Sequence, residues 1–376
     1  MAQVAMVKPR IAIVDHVGIK AGMDCYDLGL CEALNRAGYI SSVYSNFSDP
    51  ADSTKMVFRF RVHENLFSVI RLMNAYFRLA SKMKNAGSEY CILHGFRFGF
   101  WEWFFMRTIA KTRAKIFLVV HDPESLIGKK TRNNWKAGMF LMAHKIIVHN
   151  KYCNEVLKKD LSAELAGKVA IIPHGNYKAI FESSEKVEQF RFENNLQQGK
   201  KCILFFGQIK ETKGLDILLE AFAKTERKCY LLIAGRMRRH SFEKYEFLIS
   251  KYDLKDHVKL IIGYITPEKR NILFQLADAV VMPYRKVYQS GVMLMAMSYG
   301  KAVIASDLPP NKEIISDKQN GFLFRSENET ELAAVLRDVI KNDIAREEVA
   351  GRGKAFVQEQ LNWNTIAREW IKHFES

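Results

Sequence analysis

Short apolar runs alternate along this chain with longer segments whose apolar residues recur at three- and four-residue spacing. The runs have the length of strands buried on both faces and the periodic segments that of helices, so their alternation predicts parallel sheets wound by helices. In the first half the predicted strands are RIAIVD (10–15), YISSVYS (39–45), YCILHG (90–95), KIFLVVHD (115–122), KIIVHN (145–150) and KVAIIPHG (168–175). In the second half they are KCILFFG (201–207), CYLLIAG (229–235), VKLIIGY (258–264), DAVVMPY (278–284), KAVIAS (301–306) and NGFLF (320–324). Residues 179–199 between them are polar and poor in β-formers, which predicts an interdomain linker. The expected fold class is α/β: a Rossmann-like domain over 1–178, the linker, a second Rossmann-like domain over 200–357, and a last helical stretch over 358–376. Trp363, Ile366, Trp370 and Phe374 give that stretch an apolar stripe that must dock on something. Two doubly wound sheets facing one another would put both sets of strand C-termini at a shared cleft, where ligands of such sheets bind.

The 376 residues are ample for two such cores. Charge then narrows the choice of partner. Lys and Arg number 57 against 41 Asp and Glu, a net of +16, and the stretch from Lys55 to Lys178 alone holds 22 against 8, a net of +14. A one-sided basic field points to an anionic partner. Within it, FRFRVHENLFSVIRLMNAYFRLASKMK (58–84) and FRFGFWEWFFMRTIAKTRAK (96–115) mix aromatic residues with cations. That mixture suits shallow insertion at an anionic membrane surface, with Arg59, Arg61, Trp101, Trp103 and Arg107 as candidate contacts, although helix-core packing competes for the same rings. No RNP, KH or helix-turn-helix pattern supports a nucleic-acid partner. MAQVAMVKPR lacks the apolar core of a signal peptide, no run of 18 apolar residues exists, and the six cysteines are scattered without CxxC spacing. The expectation is a cytoplasmic protein held peripherally at the inner face of the cell membrane.

The first strand is followed by a loop without GxGxxG, which argues against a nicotinamide or flavin enzyme. The second domain opens with FFGQIKETKGLDILLEAF, where Lys213 sits at a strand end facing the expected cleft, able to pair with phosphate or simply to be solvated. VYQSGVMLMAMSYG (287–300) places Ser290 and Gly291 at the head of an apolar helix, after a loop carrying Arg285 and Lys286. Free N–H groups at such a start attract an anion, and a glycine there lets a phosphate come close.

The succession GQIKETKGLDILLEAF, LLIAG, LIIGYI, LADAVVMPY, SGVMLMAMSYGKAVIASDLPPNKEII and NGFLF resembles the GT-B glycosyltransferases, specifically the family-4-like retaining enzymes that use nucleotide sugars. Upstream, VVHDPE, IIVHNKYCNEVL and IIPHGNYKAIF look like first-domain signatures of the same family. The resemblance implies two Rossmann-like domains with a C-terminal helix crossing back to the first. It also implies sugar transfer from a nucleoside-diphosphate sugar to a glycan or lipid-linked acceptor, retaining and metal-independent, with no cofactor beyond the co-substrate. By the same resemblance Lys213 binds the donor diphosphate, the amides of Ser290 and Gly291 hold its distal phosphate, and Gly207, Gln208 and Val292 belong to the donor site. His121 would lie beside the donor sugar, and Glu313 falls where the family often has a glutamate.

Two departures qualify the resemblance. Gln208 stands where the family has arginine, and its paired glutamates, with seven residues between them, fall at Val287 and Met295. Either Tyr288, Gln289 and Glu313 replace those carboxylates at the sugar and ribose, or the chain is a catalytically weakened homologue acting as a subunit or scaffold.

Overall fold

The computed structural model describes residues 8–18, 22–49, 53–58, 66–123, 134–159, 161–238 and 241–375. Among these the chain forms two compact units, residues 1–175 with 361–376, and residues 176–360. The described residues form thirteen strands: β1 (Arg10–Val14), β2 (Ile40–Ser45), β3 (Thr54–Met56), β4 (Tyr90–Gly95), β5 (Lys115–Val120), β6 (Lys145–Val148), β7 (Val169–Ile171), β8 (Lys201–Phe206), β9 (Cys229–Gly235), β10 (Val258–Ile262), β11 (Ala279–Met282), β12 (Ala302–Ser306) and β13 (Phe322–Phe324).

The first unit carries a seven-stranded sheet in the order β3-β2-β1-β4-β5-β6-β7, the second a six-stranded sheet in the order β10-β9-β8-β11-β12-β13. Every pairing is parallel. Helices cover both faces of such sheets, which is why the central strands are uninterrupted apolar runs. β9 is buried throughout its length and β12 likewise. Each sheet reverses strand order beside its first strand, and that switch point opens a crevice at the strand C-termini. All twelve predicted strands are present, β4 and β9 with the predicted bounds and the other ten trimmed at one or both ends. The unpredicted one, Thr54–Met56, is a three-residue edge strand with a single buried side chain, too short and polar for periodicity to register.

The predicted linker is ordered and lies inside the second unit. It contains the helix Ser184–Glu193, whose Val187 and Phe190 are buried. The chain passes between units at Gly175/Asn176 and returns at Gln360/Leu361, so the returning segment begins after the helix Asp343–Gln360 rather than at residue 358. The last helix, Trp363–Phe374, belongs to the first unit, where Ile366, Ala367, Trp370 and Phe374 are buried. Asn362 caps it by accepting from Thr365 N at 3.0 Å.

Candidate functional site

In the second unit the chain leaves β8 through Gly207, at φ +117°, whose N–H donates to Ala234 O at 3.0 Å. Gln208 follows, and its Oε1 accepts from Arg238 Nη1 at 3.1 Å. One 3-10 turn, Glu211–Lys213, then returns Lys213 over the ring of Tyr284, with Nζ 3.4 Å from the ring centre. The turn closes at Gly214 with φ +65°, where a Cβ would stand 1.9 Å from Pro283 O. Only glycine allows that approach. Arg285 N donates to Thr212 O at 3.0 Å, so the loops 207–214 and 283–291 are fastened together.

This fastening sets Lys213 beside the start of the helix Gly291–Ser298. Ser290 caps the helix, its Oγ accepting from Met293 N at 3.3 Å, and the Tyr284 hydroxyl lies beside Ser290 without hydrogen-bond alignment. The N–H groups of Gly291 and Val292 meet no acceptor among the described residues. Gln289 Nε2, just before the cap, is a buried donor without a partner. The Lys213 ammonium faces no carboxylate among the described residues, and burial, with Lys210 nearby, lowers its pKa to about 7. Tyr284 supplies only the negative face of a ring. Lys213 over Tyr284, and the helix start with Gln289 before it, offer a cation and N–H donors of the kind that bind an anion.

Other expectations need correcting. The space beside the Gly291 Cα is taken by the Tyr177 hydroxyl, 2.6 Å from where a Cβ would stand, so this glycine makes room for a tyrosine of its own unit, not for a phosphate. Arg285 is committed elsewhere: it donates to both Asp216 oxygens at 2.8 and 3.1 Å and to Glu327 at 2.9 Å. Val287 and Met295, where the paired carboxylates would fall, are each only 8% exposed. Glu313 is exposed at the end of the helix Pro309–Lys312. Tyr288 is partly exposed in the loop between Val287 and the helix cap. Asp278 accepts from Cys202 N at 2.8 Å and is a fold residue.

In the first unit, four neighbouring strands each carry a histidine at or just past their C-terminal end: His94 is the penultimate residue of β4, His121 and His149 directly follow β5 and β6, and His174 lies three residues past β7. All four imidazoles contact the ring of Tyr26, at centroid distances of 5.1, 6.3, 5.6 and 4.8 Å. His94 Nδ1 is 2.9 Å from His121 Nε2, and His94 Nε2 is 3.1 Å from Asp27 Oδ1. Phe96 stacks on His121 at 4.8 Å, with the rings 9° apart. Burial pushes all four imidazoles below their usual range, to about 4 for His94 and His174 and about 3 for His149, so they are neutral near pH 7. No three His, Cys, Asp or Glu side chains among the described residues are arranged to hold a metal ion.

The same unit exposes an aromatic and basic face. Ile70 and Phe77 on the helix Leu66–Asn85, Phe100 and Trp101 on Phe100–Ala110, and Leu141 on Asn134–Met142 are all exposed. Phe77 meets Phe104 edge to face at 6.1 Å, Arg107 lies 5.2 Å over the Trp103 ring, and Arg71, Arg78 and Lys82 are exposed nearby. Arg59 and Arg61 lie outside the described residues. Other predicted aromatics are core: Phe105 is buried and stacks on Tyr76 at 4.3 Å. No described helix is long and apolar enough to cross a membrane. Sequence reasoning missed Tyr284, Arg238 and the histidine cluster. The last had a visible signal, the recurrence of His at the end of ILHG, VVHD, IVHN and IPHG.

Comparison with known proteins places these features. Residues 186–356 match the family "Glycosyl transferases group 1", and residues 96–162 match "Glucosyltransferase 3-like, N-terminal domain". An uncharacterized glycosyltransferase of Methanocaldococcus jannaschii is 28% identical over 197 residues, 51% of this chain and 49% of that protein. The chain therefore spans about half the length of that relative. A phosphatidyl-myo-inositol mannosyltransferase of Mycobacterium tuberculosis is 26% identical over 61% of each chain. Among solved structures, Anabaena HepE in complex with UDP and glucose superposes with a TM-score of 0.74 at 15% identity, covering 98% of this chain and 99% of that one.

Proposed function

Because residues 186–356 are a group 1 glycosyltransferase domain in a chain of GT-B fold, we propose that the protein moves a sugar from a nucleoside-diphosphate sugar to a glycan or lipid-linked acceptor. The observation that carries this reading is the unpaired Lys213 ammonium fastened beside the open amides of Gly291 and Val292. Breaking the sugar–phosphate bond develops negative charge on the departing diphosphate. A fixed cation and oriented N–H groups stabilise that charge more than they stabilise bound donor, which lowers the barrier. In this reading the positive charge comes from the protein and no metal is needed. The acceptor hydroxyl attacks from the leaving-group side, so anomeric configuration is retained.

The aromatic and basic face supports an acceptor presented at an anionic membrane. Its exposed rings fit the headgroup level and its cations fit lipid phosphate. A relative named for a phosphatidylinositol acceptor is in keeping with that reading. The burial of Val287 and Met295 favours one rival, a weakened homologue serving as a subunit or scaffold. Thermal stabilisation by a panel of UDP-, GDP- and dTDP-sugars, followed by calorimetry on the best, decides between them. A ligand at 100 times its Kd adds about 2.7 kcal/mol of stability. A flat panel leaves the scaffold.

A further inference from the structure

In the second unit the segments 211–214 and 283–285 lie side by side in one register: Gly214 against Pro283, Lys213 over Tyr284, and Thr212 O accepting from Arg285 N at 3.0 Å. The Tyr284 side of that pairing is anchored to the sheet. Its carbonyl accepts from Ser306 Oγ, on the last residue of β12, at 2.7 Å and from Ser326 Oγ at 3.4 Å. The Lys213 side is the short 3-10 turn Glu211–Lys213, closed by Lys213 N donating to Lys210 O at 2.8 Å and Gly214 N to Glu211 O at 3.1 Å. A single turn of this kind has no ladder of its own with which to keep a desolvated ammonium seated on a ring.

The Arg285 guanidinium supplies that restraint. Its Nη1 donates to Glu211 O at 3.0 Å and to Asp216 Oδ1 at 2.8 Å, and its Nη2 donates to Asp216 Oδ2 at 3.1 Å. These bonds bracket Lys213, reaching the turn before it and the first turn of the helix Leu215–Ala223 after it. The Nε bond, to Glu327 Oε1 at 2.9 Å, reaches neither. A planar fork serves a carbonyl and both oxygens of a carboxylate at once, which an ammonium cannot do. Asp216 is buried, and Lys244 of the helix Glu243–Lys251 donates to its Oδ2 at 2.6 Å. Burial raises the Asp216 carboxyl, but the bonds from Arg285 and Lys244 outweigh it and hold the group at about 2. Tyr245, on the same helix, is pushed by burial up to about 12. Asp216 is therefore charged and Tyr245 neutral over the range in which Lys213 titrates.

We infer that Arg285 is a positioning residue for Lys213: by tying Glu211 O and the Asp216 carboxylate to the loop that carries Tyr284, its guanidinium seats the lysine on the ring. Its own charge is neutralised by Asp216 and Glu327. What it contributes to a bound anion is the place of the neighbouring ammonium. That the anion is a donor diphosphate rests on the function proposed above, whereas the clamp does not.

The test is trace acetylation of the full-length protein by acetic anhydride across a pH series, with Lys213 followed by peptide mass spectrometry, so that its titration is read without a ligand. In the unmodified protein Lys213 should titrate near pH 7. Arg285→Lys keeps the charge and loses the fork, while Asp216→Asn removes a negative charge. Through-space electrostatics alone would leave Lys213 nearly unmoved in the first variant and lower it further in the second. Release of the turn returns the lysine to water and raises it in both, by about 1–3 pH units. Lys210, Tyr284, Lys244 and Tyr245 are the same in every variant. Glu327→Gln, which loses only the bond that misses the turn, should leave Lys213 within about 0.5 pH unit. A titration unmoved or lowered in Arg285→Lys and Asp216→Asn overturns the proposal, as does an ordinary lysine titration in the unmodified protein; if one variant fails to fold, the other decides. With the best-bound nucleotide from the panel, Arg285→Lys should weaken binding about tenfold. A raised titration with unchanged affinity rejects the part played by the clamp in donor binding. A panel without a binder rejects the sugar-transfer reading, and the acetylation still decides the clamp.

Discussion

Lys213 is the residue on which the diphosphate reading can be broken most cleanly. Its pKa is lowered from 10.5 to about 7 because the ammonium is desolvated over Tyr284, with Lys210 as its charged neighbour among the described residues. A bound diphosphate reverses that penalty and keeps the lysine charged. At pH 8 only about one apo molecule in ten carries the charge, so binding takes up about 0.9 proton, and each further pH unit weakens binding about tenfold, roughly 1.4 kcal/mol. The nucleotide hardly contributes to proton uptake at pH 8, since a terminal phosphate with its second ionisation near pH 6 is by then about 99% charged. Calorimetry with UDP, GDP and ADP between pH 6.5 and 9, in buffers of different ionisation enthalpy, reads both affinity and proton uptake. Lys213→Arg should abolish the slope because guanidinium stays charged, and Lys213→Met should weaken binding at pH 6.5 by about 2 kcal/mol, roughly thirtyfold. The unliganded fold gives an independent sign. With the folded pKa below the unfolded one, the unfolded chain binds more protons between about pH 7 and 10.5, so stability rises with pH across that window, and Lys213→Met removes the rise. Binding that is independent of pH, with no proton uptake at pH 8, would refute the reasoning.

Three further outcomes are expected. Gly214→Ala must move either the Lys213 turn or the Pro283 carbonyl, since its Cβ would stand 1.9 Å from that oxygen at φ +65°. It should lower Tm and abolish nucleotide binding together, and a variant that kept both would mean the two loops are not fastened as described. Trp370→Ala empties the fully buried centre of the last helix and should cost about 3–5 kcal/mol in denaturant titration; a loss under about 1 kcal/mol would mean that helix is not docked. Trp101→Ser with Arg107→Glu should release the protein from anionic vesicles in co-sedimentation while leaving nucleotide affinity unchanged. Retention on those vesicles would remove the membrane assignment.

Much of this molecule is determined by sequence alone because parallel strands must be buried on both faces. That demand writes itself locally as apolar runs such as CYLLIAG and KAVIAS, so twelve strands and the α/β class can be read without coordinates, and the Ser290 cap is local as well. The candidate phosphate residues were equally visible one by one. What the sequence could not decide is which of them keeps a free hand. Lys213 and Arg285 look alike as cations in loops, yet among the described residues one lies over an aromatic face and the other is consumed by Asp216 and Glu327. Gly291 looks open and is filled by Tyr177, 114 positions earlier. The histidine row required β4 to β7 to lie side by side before four strand ends could form one buried cluster. The physical reason is the same each time. Backbone pattern is set by neighbours a few residues away, whereas charge compensation and desolvation are set by whatever the fold brings within a few ångströms from distant parts of the chain.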